Sequence, residues 1–354
     1  TDMTRNNNFD LIRLFAALQV LIGHMRGYLG LTLFPRPVTD VIKYFPGVVI
    51  FFVVSGFLIF ASFDRNRNLV QYYKNRILRI FPGMWVAFLV SATLIYTAGY
   101  SAGSPLETIK WVAEQLTIFQ MHTTPGIVAY ANDHPNPALW TIIVEFSFYI
   151  FVPLLFWLAR KRISMTMMIL IFIVASCICN YYVMGVDLRT KPLPPIWKEN
   201  LLPYLFYFLF GALSYVHFDK LKKMYMGKGL YWLAGYFAYV LVVGAYFDLY
   251  DLHYYVNIYG MIGAAILSQT IIALAYTLPD LSKKLLRGND ISYGVYLYHL
   301  IIIHVFNRAG YYGNNATFLP VLLLTITAAF VSWILVEKQA LKLKKVTFPR
   351  FKLT

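Results

Sequence analysis

Residues 44–62 read YFPGVVIFFVVSGFLIFAS, a run of nineteen side chains of which none is charged. A bilayer core of about 30 Å needs roughly 20 apolar residues in a helix, so this run is long enough to cross a membrane. Comparable runs recur along the chain. They predict spans near 9–29, 44–62, 80–99, 138–159, 163–184, 201–218, 229–247, 256–278, 291–307 and 317–336. The predicted fold class is therefore all-α: a polytopic integral membrane helix bundle of about ten transmembrane helices.

The composition excludes an ordinary soluble protein. Hydrophobic residues make up 59% of the 354 positions and charged residues 13%, whereas soluble domains have about 25% charged residues. The polar segments between predicted spans are short, and the longest covers residues 100–137. We therefore expect residues 1–354 to form a single transmembrane domain.

The basic residues are distributed unevenly between the predicted spans. If the N-terminus is cytoplasmic and ten spans alternate, 22 of the 31 Lys and Arg residues fall on the cytoplasmic side. Because cytoplasmic loops carry an excess of Lys and Arg, both termini are predicted to be cytoplasmic. The same loops account for the net charge of +15 without a nucleic-acid partner, since basic segments are attracted to anionic membrane lipids.

Several classes of site have no counterpart in the sequence. Cys177 and Cys179 are two positions apart in one predicted span and point to different helix faces, which predicts neither a disulfide nor a metal pair. The sequence contains no P-loop, no G-x-G-x-x-G and no H-E-x-x-H motif, so it gives no support to an ATP-driven pump or a zinc protease.

Three polar residues lie on one stripe of the first predicted span. Arg13 and His24 fall within about 20° of each other on a helix, and Asp10 lies within about 40° of His24. The stripe rises roughly 16 Å from Arg13 to His24. Polar side chains inside a bilayer are costly and often mark functional sites. The alternative is an interfacial Asp10–Arg13 ion pair beside a structural histidine.

Glu145 is the acidic residue of the fourth predicted span, about seven residues from its outer end. His24 lies at a similar depth, and a buried carboxylate requires a partner. Histidine beside glutamate in a dry site forms an acid–base pair, so His24 and Glu145 are predicted to act together. The alternative is that the two side chains are satisfied separately by helix packing.

Two arginines precede the third predicted span, in the stretch 72–82 (YYKNRILRIFP). Arg76 and Arg79 are one helical turn apart, and two guanidinium groups at this spacing can hold a polyanion such as the phosphates of a nucleotide. The alternative is that they only contribute to the basic cytoplasmic loops.

The sequence resembles acyltransferase family three, the bacterial membrane-bound acyltransferases that O-acetylate glycans. Its signature of an arginine, ten residues and a histidine corresponds to Arg13 and His24. Four further stretches are similar in order and spacing: Gly47 to Ile59 around Ser55-Gly56-Phe57, Arg76-x-x-Arg79-Ile-x-Pro82, Leu139-Trp140 to Pro153 around Glu145 and Tyr149, and Ile291-Ser292-Tyr293 to His299.

The resemblance implies a donor, a short acyl-CoA and in the first place acetyl-CoA, and an acceptor hydroxyl on a surface or lipid-linked glycan. It implies an enzyme of the bacterial cytoplasmic (inner) membrane, without a metal. Together with the polar stripe of the first span, the resemblance assigns His24 as general base, with Arg13, Asp10 and Glu145 in the catalytic group. The donor-binding residues are then Arg76, Arg79, Ser55, Tyr293 and His299. Trp140 and Tyr149 are expected to stack on the acceptor.

The sequence departs from the family's pattern in two places. Members often have Glu-x-Pro after the last span, whereas this sequence has Glu337-Lys-Gln339. Many members also carry an extracytoplasmic hydrolase-like domain after the bundle. Here the chain extends eighteen residues beyond the last predicted span, so no fused domain is expected and such a partner would be a separate protein.

Two other functions fit an apolar chain with intramembrane charges. A transporter or flippase for a lipid-linked sugar could use the same Arg, His and Glu residues for proton coupling. The sequence lacks the internal repeat and the pair of interrupted helices that many transporters have. A non-catalytic scaffold would leave the polar stripe of the first span unexplained.

The predicted orientation can be tested by thiol labelling. In a background without Cys177 and Cys179, a cysteine placed in Ser101–Pro137 should react with an impermeant reagent added outside the cell. A cysteine in Asp64–Lys74 should react only after the membrane is permeabilised. The reverse pattern would place the basic loops outside and invert the direction of donor entry.

Overall fold

Helices provide the regular secondary structure of the computed structural model, which describes residues 7–119, 123–131, 134–159, 164–189, 200–246 and 257–345. No β-strand occurs in these ranges. The helices are α1 (Phe9–Leu29), α2 (Arg36–Lys43), α3 (Gly47–Arg65), α4 (Leu69–Thr97), α5 (Pro105–Gln115), α6 (Pro125–Ala131), α7 (Trp140–Leu158), α8 (Met165–Arg189), α9 (Leu205–Val216), α10 (Phe218–Tyr225), α11 (Gly229–Tyr246), α12 (Ile258–Ala275), α13 (Leu281–Leu286), α14 (Ser292–Arg308), α15 (Phe318–Ser332) and α16 (Lys338–Lys342).

The all-helical membrane class is confirmed, whereas the number of spans is not. Six helical segments of the described chain are long and apolar enough to cross a membrane, and a seventh is added if α10 and α11, bent by 85°, are one span. The predicted spans 9–29, 201–218 and 291–307 do not meet this requirement of length and apolarity. The first corresponds to α1, which carries three charged residues, and the other two correspond to α9 and α14, which have only 12 and 17 residues. The orientation of the termini stays a prediction.

Helices α3 and α9 approach each other closely at two glycines. A Cβ atom on Gly56 would lie 1.9 Å from the carbonyl oxygen of Phe208, and one on Gly211 would lie 2.1 Å from that of Val53. Small residues at such contacts allow membrane helices to pack backbone against backbone. The Phe208 ring then stacks at 4.2 Å on Phe148, which ties α7 to the same core.

Helix α1 packs between α3 and α14, and α14 also packs against α15. The start of α1 is fixed by Asn8, whose Nδ2 donates to the carbonyl oxygens of Thr277 at 2.7 Å and Leu278 at 3.0 Å. The backbone N–H of Ser282 donates to Asn8 Oδ1 at 2.8 Å. These bonds hold the start of α1 against the turn between α12 and α13.

The helix type changes near Gln339, the position at which the sequence lacks the proline of the Glu-x-Pro pattern. Residues Trp333–Glu337 form a π-helix between α15 and α16, and the chain continues in helical conformation to Lys345. The side chain of Glu337 is buried at 2% exposure, and its Oε1 accepts a hydrogen bond from Ser332 at 3.1 Å. The missing proline therefore leaves the chain helical at this point.

Replacing Gly56 or Gly211 with Ala should destabilise the folded protein by about 1–3 kcal/mol, because the added methyl group would overlap a backbone carbonyl. Gly235→Ala is the matched control: Gly235 lies in α11 with no atom within 4 Å of an added Cβ. Thermal unfolding in detergent measures the difference. Equal melting temperatures for Gly56→Ala and Gly235→Ala would show that α3 and α9 do not depend on this contact.

Candidate active site

A cavity of about 360 Å³ lies among α1, α3, α4, α7 and the start of α14. On α3 its lining extends from Val48 to Ile59, which corresponds to about 16 Å along the helix axis. The polar residues of the lining are Asp10, Arg13, Ser55, Arg76, Arg79, Thr141, Glu145, Tyr149, Asp290, Ser292, Tyr293, Tyr296 and Lys344. We call the part around Arg13, Arg76 and Arg79 the arginine end and the part around Thr141 and Tyr296 the tyrosine end.

Asp290 connects two arginines at the arginine end. Its Oδ2 accepts a hydrogen bond from Arg13 Nη1 at 3.0 Å and another from Arg79 Nη2. Arg13 Nη1 also contacts Asp10 Oδ1 at 3.1 Å. Helices α1 and α4 are thus joined through one carboxylate that immediately precedes α14.

Asp290 lies outside the predicted spans, in the loop before α14, and its side chain is 9% exposed. Burial by itself raises the pKa of a carboxyl group, but the positive charges of Arg79 and Arg13 outweigh this effect and lower the pKa of Asp290 to about 2. Ser292 adds two hydrogen bonds to Asp290 Oδ1, from its N–H and its hydroxyl. Asp290 is therefore a carboxylate at neutral pH.

Glu145 lies in the middle of the cavity. Its Oε1 accepts hydrogen bonds from Ser55 Oγ and from Tyr149 Oη, both at 2.7 Å. The two donors come from α3 and from the next turn of α7. The structure thus corrects the predicted pair of Glu145 and His24: within the described residues no hydrogen bond joins them, and the partners of Glu145 are hydroxyl groups.

Arg76 differs from its neighbour Arg79. Its guanidinium carbon lies 5.1 Å from the ring centroid of Tyr72 and 5.6 Å from that of Tyr149. Its Nε and Nη2 atoms are buried, and neither has a hydrogen-bond acceptor among the described residues. Buried donors without an acceptor are costly, so this position favours an anionic ligand.

His24 and His299 form a pair beyond the tyrosine end. His24 Nδ1 and His299 Nε2 are 2.7 Å apart, with the ring planes within 2° of parallel. His299 is fully buried, and its Nδ1 lies 3.1 Å from the carbonyl oxygen of Val295. The Tyr296 ring, which lines the cavity, has its centroid 5.7 Å from that of His299.

The predicted residues fall into two groups. Those that line the cavity are Asp10, Arg13, Ser55, Arg76, Arg79, Glu145, Tyr149 and Tyr293, and those outside its lining are His24, His299 and Trp140. Trp140 packs at 5.0 Å on the ring of Tyr204. The two ring nitrogens of His299 face His24 and Val295, and its assignment to the donor site stays a prediction.

Sequence reasoning misses Asp290, Trp333 and Lys344, which complete the arginine end. Asp290 precedes a predicted span by one residue and is easily taken for part of a polar loop. The sequence does contain a signal that could have identified Asp290. Arg13 and Arg79 lie in or beside apolar runs and need a carboxylate partner, and the chain has only 16 acidic residues from which to choose it.

Comparisons with known proteins identify two relatives and one protein family. Nodulation protein 10 of Rhizobium leguminosarum bv. viciae is 30% identical over 357 residues, covering 96% of this chain and 94% of that protein. The "Putative acetyltransferase ORF330" of Acidianus two-tailed virus is 22% identical over 326 residues, covering 87% of each. No solved structure matches. Residues 6–337, nearly the whole chain, match the family described as Acyltransferase domain, and the chain therefore belongs to that membrane acyltransferase family.

Proposed function

We propose that the protein transfers an acyl group, in the first place acetyl, from cytoplasmic acyl-CoA to a hydroxyl group of a surface or lipid-linked glycan. The enzyme would act in the bacterial cytoplasmic membrane. The observation that carries the proposal is the elongated cavity with Arg76 at one end. Among the described residues, two N–H groups of Arg76 have no hydrogen-bond acceptor, and a long acyl-CoA with an anionic end fits this arrangement.

The arginine end supports binding of the nucleotide part of the donor. Two nitrogens of Arg76 have no acceptor in the described part of the chain, and phosphate oxygens would supply them with charge-assisted hydrogen bonds. Lys344 adds a further cation to the lining. Arg79 has a different role, because its charge is already balanced by Asp290, and we assign it to holding α4 against α14.

The middle of the cavity suits the narrow arm of an acyl-CoA. Apolar side chains of α3 and α7, among them Phe52, Leu58 and Ile142, form much of the wall. Glu145 interrupts this wall, and its hydrogen bonds from Ser55 and Tyr149 both fall on Oε1. We propose that Oε2 accepts from an amide N–H of the arm, and that Tyr149, bonded to the same carboxylate, belongs to the donor site.

His24 is the proposed general base at the far end of the stripe. It takes the proton of the acceptor hydroxyl as the oxygen attacks the thioester carbonyl, and the bond between the carbonyl carbon and sulfur breaks. The proton then passes from His24 to the departing thiolate, which leaves as free CoA. Arg13, roughly 16 Å of helix rise away, belongs to the donor end, where Asp10 and Asp290 orient it.

The acceptor is proposed to approach His24 from the side opposite the arginine end. Trp140 begins α7 on that side, next to Tyr204, and we assign its half-buried indole to stacking on a sugar ring. The name of the viral relative, which refers to an acetyltransferase, favours acyl transfer over the transporter alternative. The family match favours it as well.

Arg76→Gln should weaken acetyl-CoA binding by about 10–100-fold, because charge-assisted hydrogen bonds contribute about 1.5–3 kcal/mol. Arg79→Gln should instead lower the melting temperature, since it leaves Asp290 with one arginine fewer. Calorimetric titration and thermal unfolding in detergent separate the two effects.

Arg67→Gln is the control for this pair, because Arg67 lies in the same basic segment, is exposed and does not line the cavity. It should match the unsubstituted protein in both assays. Equal affinity for acetyl-CoA in Arg76→Gln and Arg67→Gln would show that Arg76 does not bind the donor.

His24→Ala should abolish glycan acylation and leave acetyl-CoA binding intact. Loss of a general base costs on the order of 10²–10⁴-fold in rate, while the donor's charged end is held at the other end of the cavity. Mass spectrometry of surface glycans measures transfer, and calorimetry measures binding. Arg26→Gln, two residues further on α1, is the control and should acylate normally. Wild-type transfer by His24→Ala would show that the base lies elsewhere.

A further inference from the structure

The His24–His299 pair fixes where the protons lie. His299 Nδ1 is 3.1 Å from the carbonyl oxygen of Val295, and a carbonyl oxygen can only accept a hydrogen bond. His299 Nδ1 therefore carries a proton. In a neutral imidazole the other nitrogen, Nε2, is then an acceptor, and it faces His24 Nδ1 at 2.7 Å. His24 must donate from Nδ1, which leaves the lone pair of His24 on Nε2.

The neutral state of His299 follows from its surroundings. The ring is fully buried, and an imidazolium there would be a buried cation. The groups that face the pair are the rings of Tyr296 and Tyr28 together with His304, which packs on Tyr28. None of them is a carboxylate, and no Asp or Glu contacts either ring in the described chain. In the opposite tautomer of His299, the lone pair of Nδ1 would face the carbonyl oxygen of Val295, and both atoms are hydrogen-bond acceptors.

We propose that His299 is the positioning residue of the reaction: it holds His24 in the Nδ1–H tautomer, so that Nε2 is the nitrogen that accepts the acceptor's proton. This inference rests on the proposed function for its chemical meaning. A histidine takes the place that a carboxylate has in many acid–base pairs. When His24 Nε2 accepts the proton, the Nδ1–H bond to His299 becomes charge-assisted and stronger, and His299 itself stays neutral.

Nitrogen NMR of the full chain in liposomes, labelled with ¹⁵N-histidine, tests the tautomer without any acyl transfer. The His24 signals are assigned by their loss in His24→Gln. At a pH where the ring is neutral, Nδ1 of His24 should be protonated and Nε2 should not. A protonated Nε2 with a bare Nδ1 would overturn the inference, and so would a spectrum that averages the two tautomers.

Two substitutions of His299 test its role in the rate. His299→Gln keeps an oxygen that can accept from His24 Nδ1, whereas His299→Leu removes the acceptor. With acetyl-CoA as donor and glycan from a strain lacking the gene as acceptor, His299→Leu should lower kcat on the order of 10²-fold with an unchanged KM for acetyl-CoA. His299→Gln should restore most of kcat. Equal loss in both variants, with the His24 signals unchanged, would overturn the positioning role.

His304→Leu is the control, because His304 is also buried on α14 but packs against Tyr28. It should keep the Nδ1–H signal of His24 and a kcat near that of the unsubstituted protein. The two readouts also separate the hypotheses. If the Nδ1–H tautomer is found and is lost in His299→Leu, but no variant transfers acetyl groups to glycan, the proposed function fails and the pairing stands.

Discussion

The bundle is held together by the ion pairs that one carboxylate, that of Asp290, makes with two arginines. Arg13 and Arg79 belong to helices α1 and α4, and in apolar surroundings each needs a negative partner. One carboxylate oxygen contacts both. Because Asp290 directly precedes α14, this contact brings together helices from the first and last parts of the chain. The cavity lies along them, so its walls are set by an electrostatic requirement as well as by apolar packing.

The arginines and the proposed acid–base histidines lie at opposite ends of the site. At the arginine end, Arg79 pairs with Asp290, whereas two nitrogens of Arg76 have no acceptor among the described residues and favour an anionic ligand. Beyond the tyrosine end, the rings of His24 and His299 contact each other at 2.7 Å. The intervening cavity extends about 16 Å along α3. The proposed anchoring of the donor and the proposed proton transfer therefore depend on different residues and can be tested by separate mutations.

The sequence predicts relations between residues of one helix better than it predicts contacts between helices. Helical geometry places Arg13 and His24 on one stripe, because their relation is local. Similar depth suggests Glu145 as the partner of His24, but depth cannot select among all residues at one level. The actual partner, His299, is 275 positions away and depends on how α1 packs against α14. The count of ten spans stays unconfirmed, since helices as short as the 17 residues of α14 pack within the bundle and are not identified as spans by length.

The position of Asp290 late in the chain has a consequence for biosynthesis. Helices α1 and α4 emerge from the ribosome long before residue 290, so Arg13 and Arg79 are made before their shared carboxylate exists. Until then Arg79 lacks this partner and must stay close to lipid headgroups or water, because an unpaired charge in hydrocarbon is costly, whereas Arg13 already has Asp10 at 3.1 Å on its own helix. The contact that joins α1 and α4 to the start of α14 can therefore form only after residue 290 has been made. The last part of the chain thus supplies the carboxylate that links two helices made much earlier.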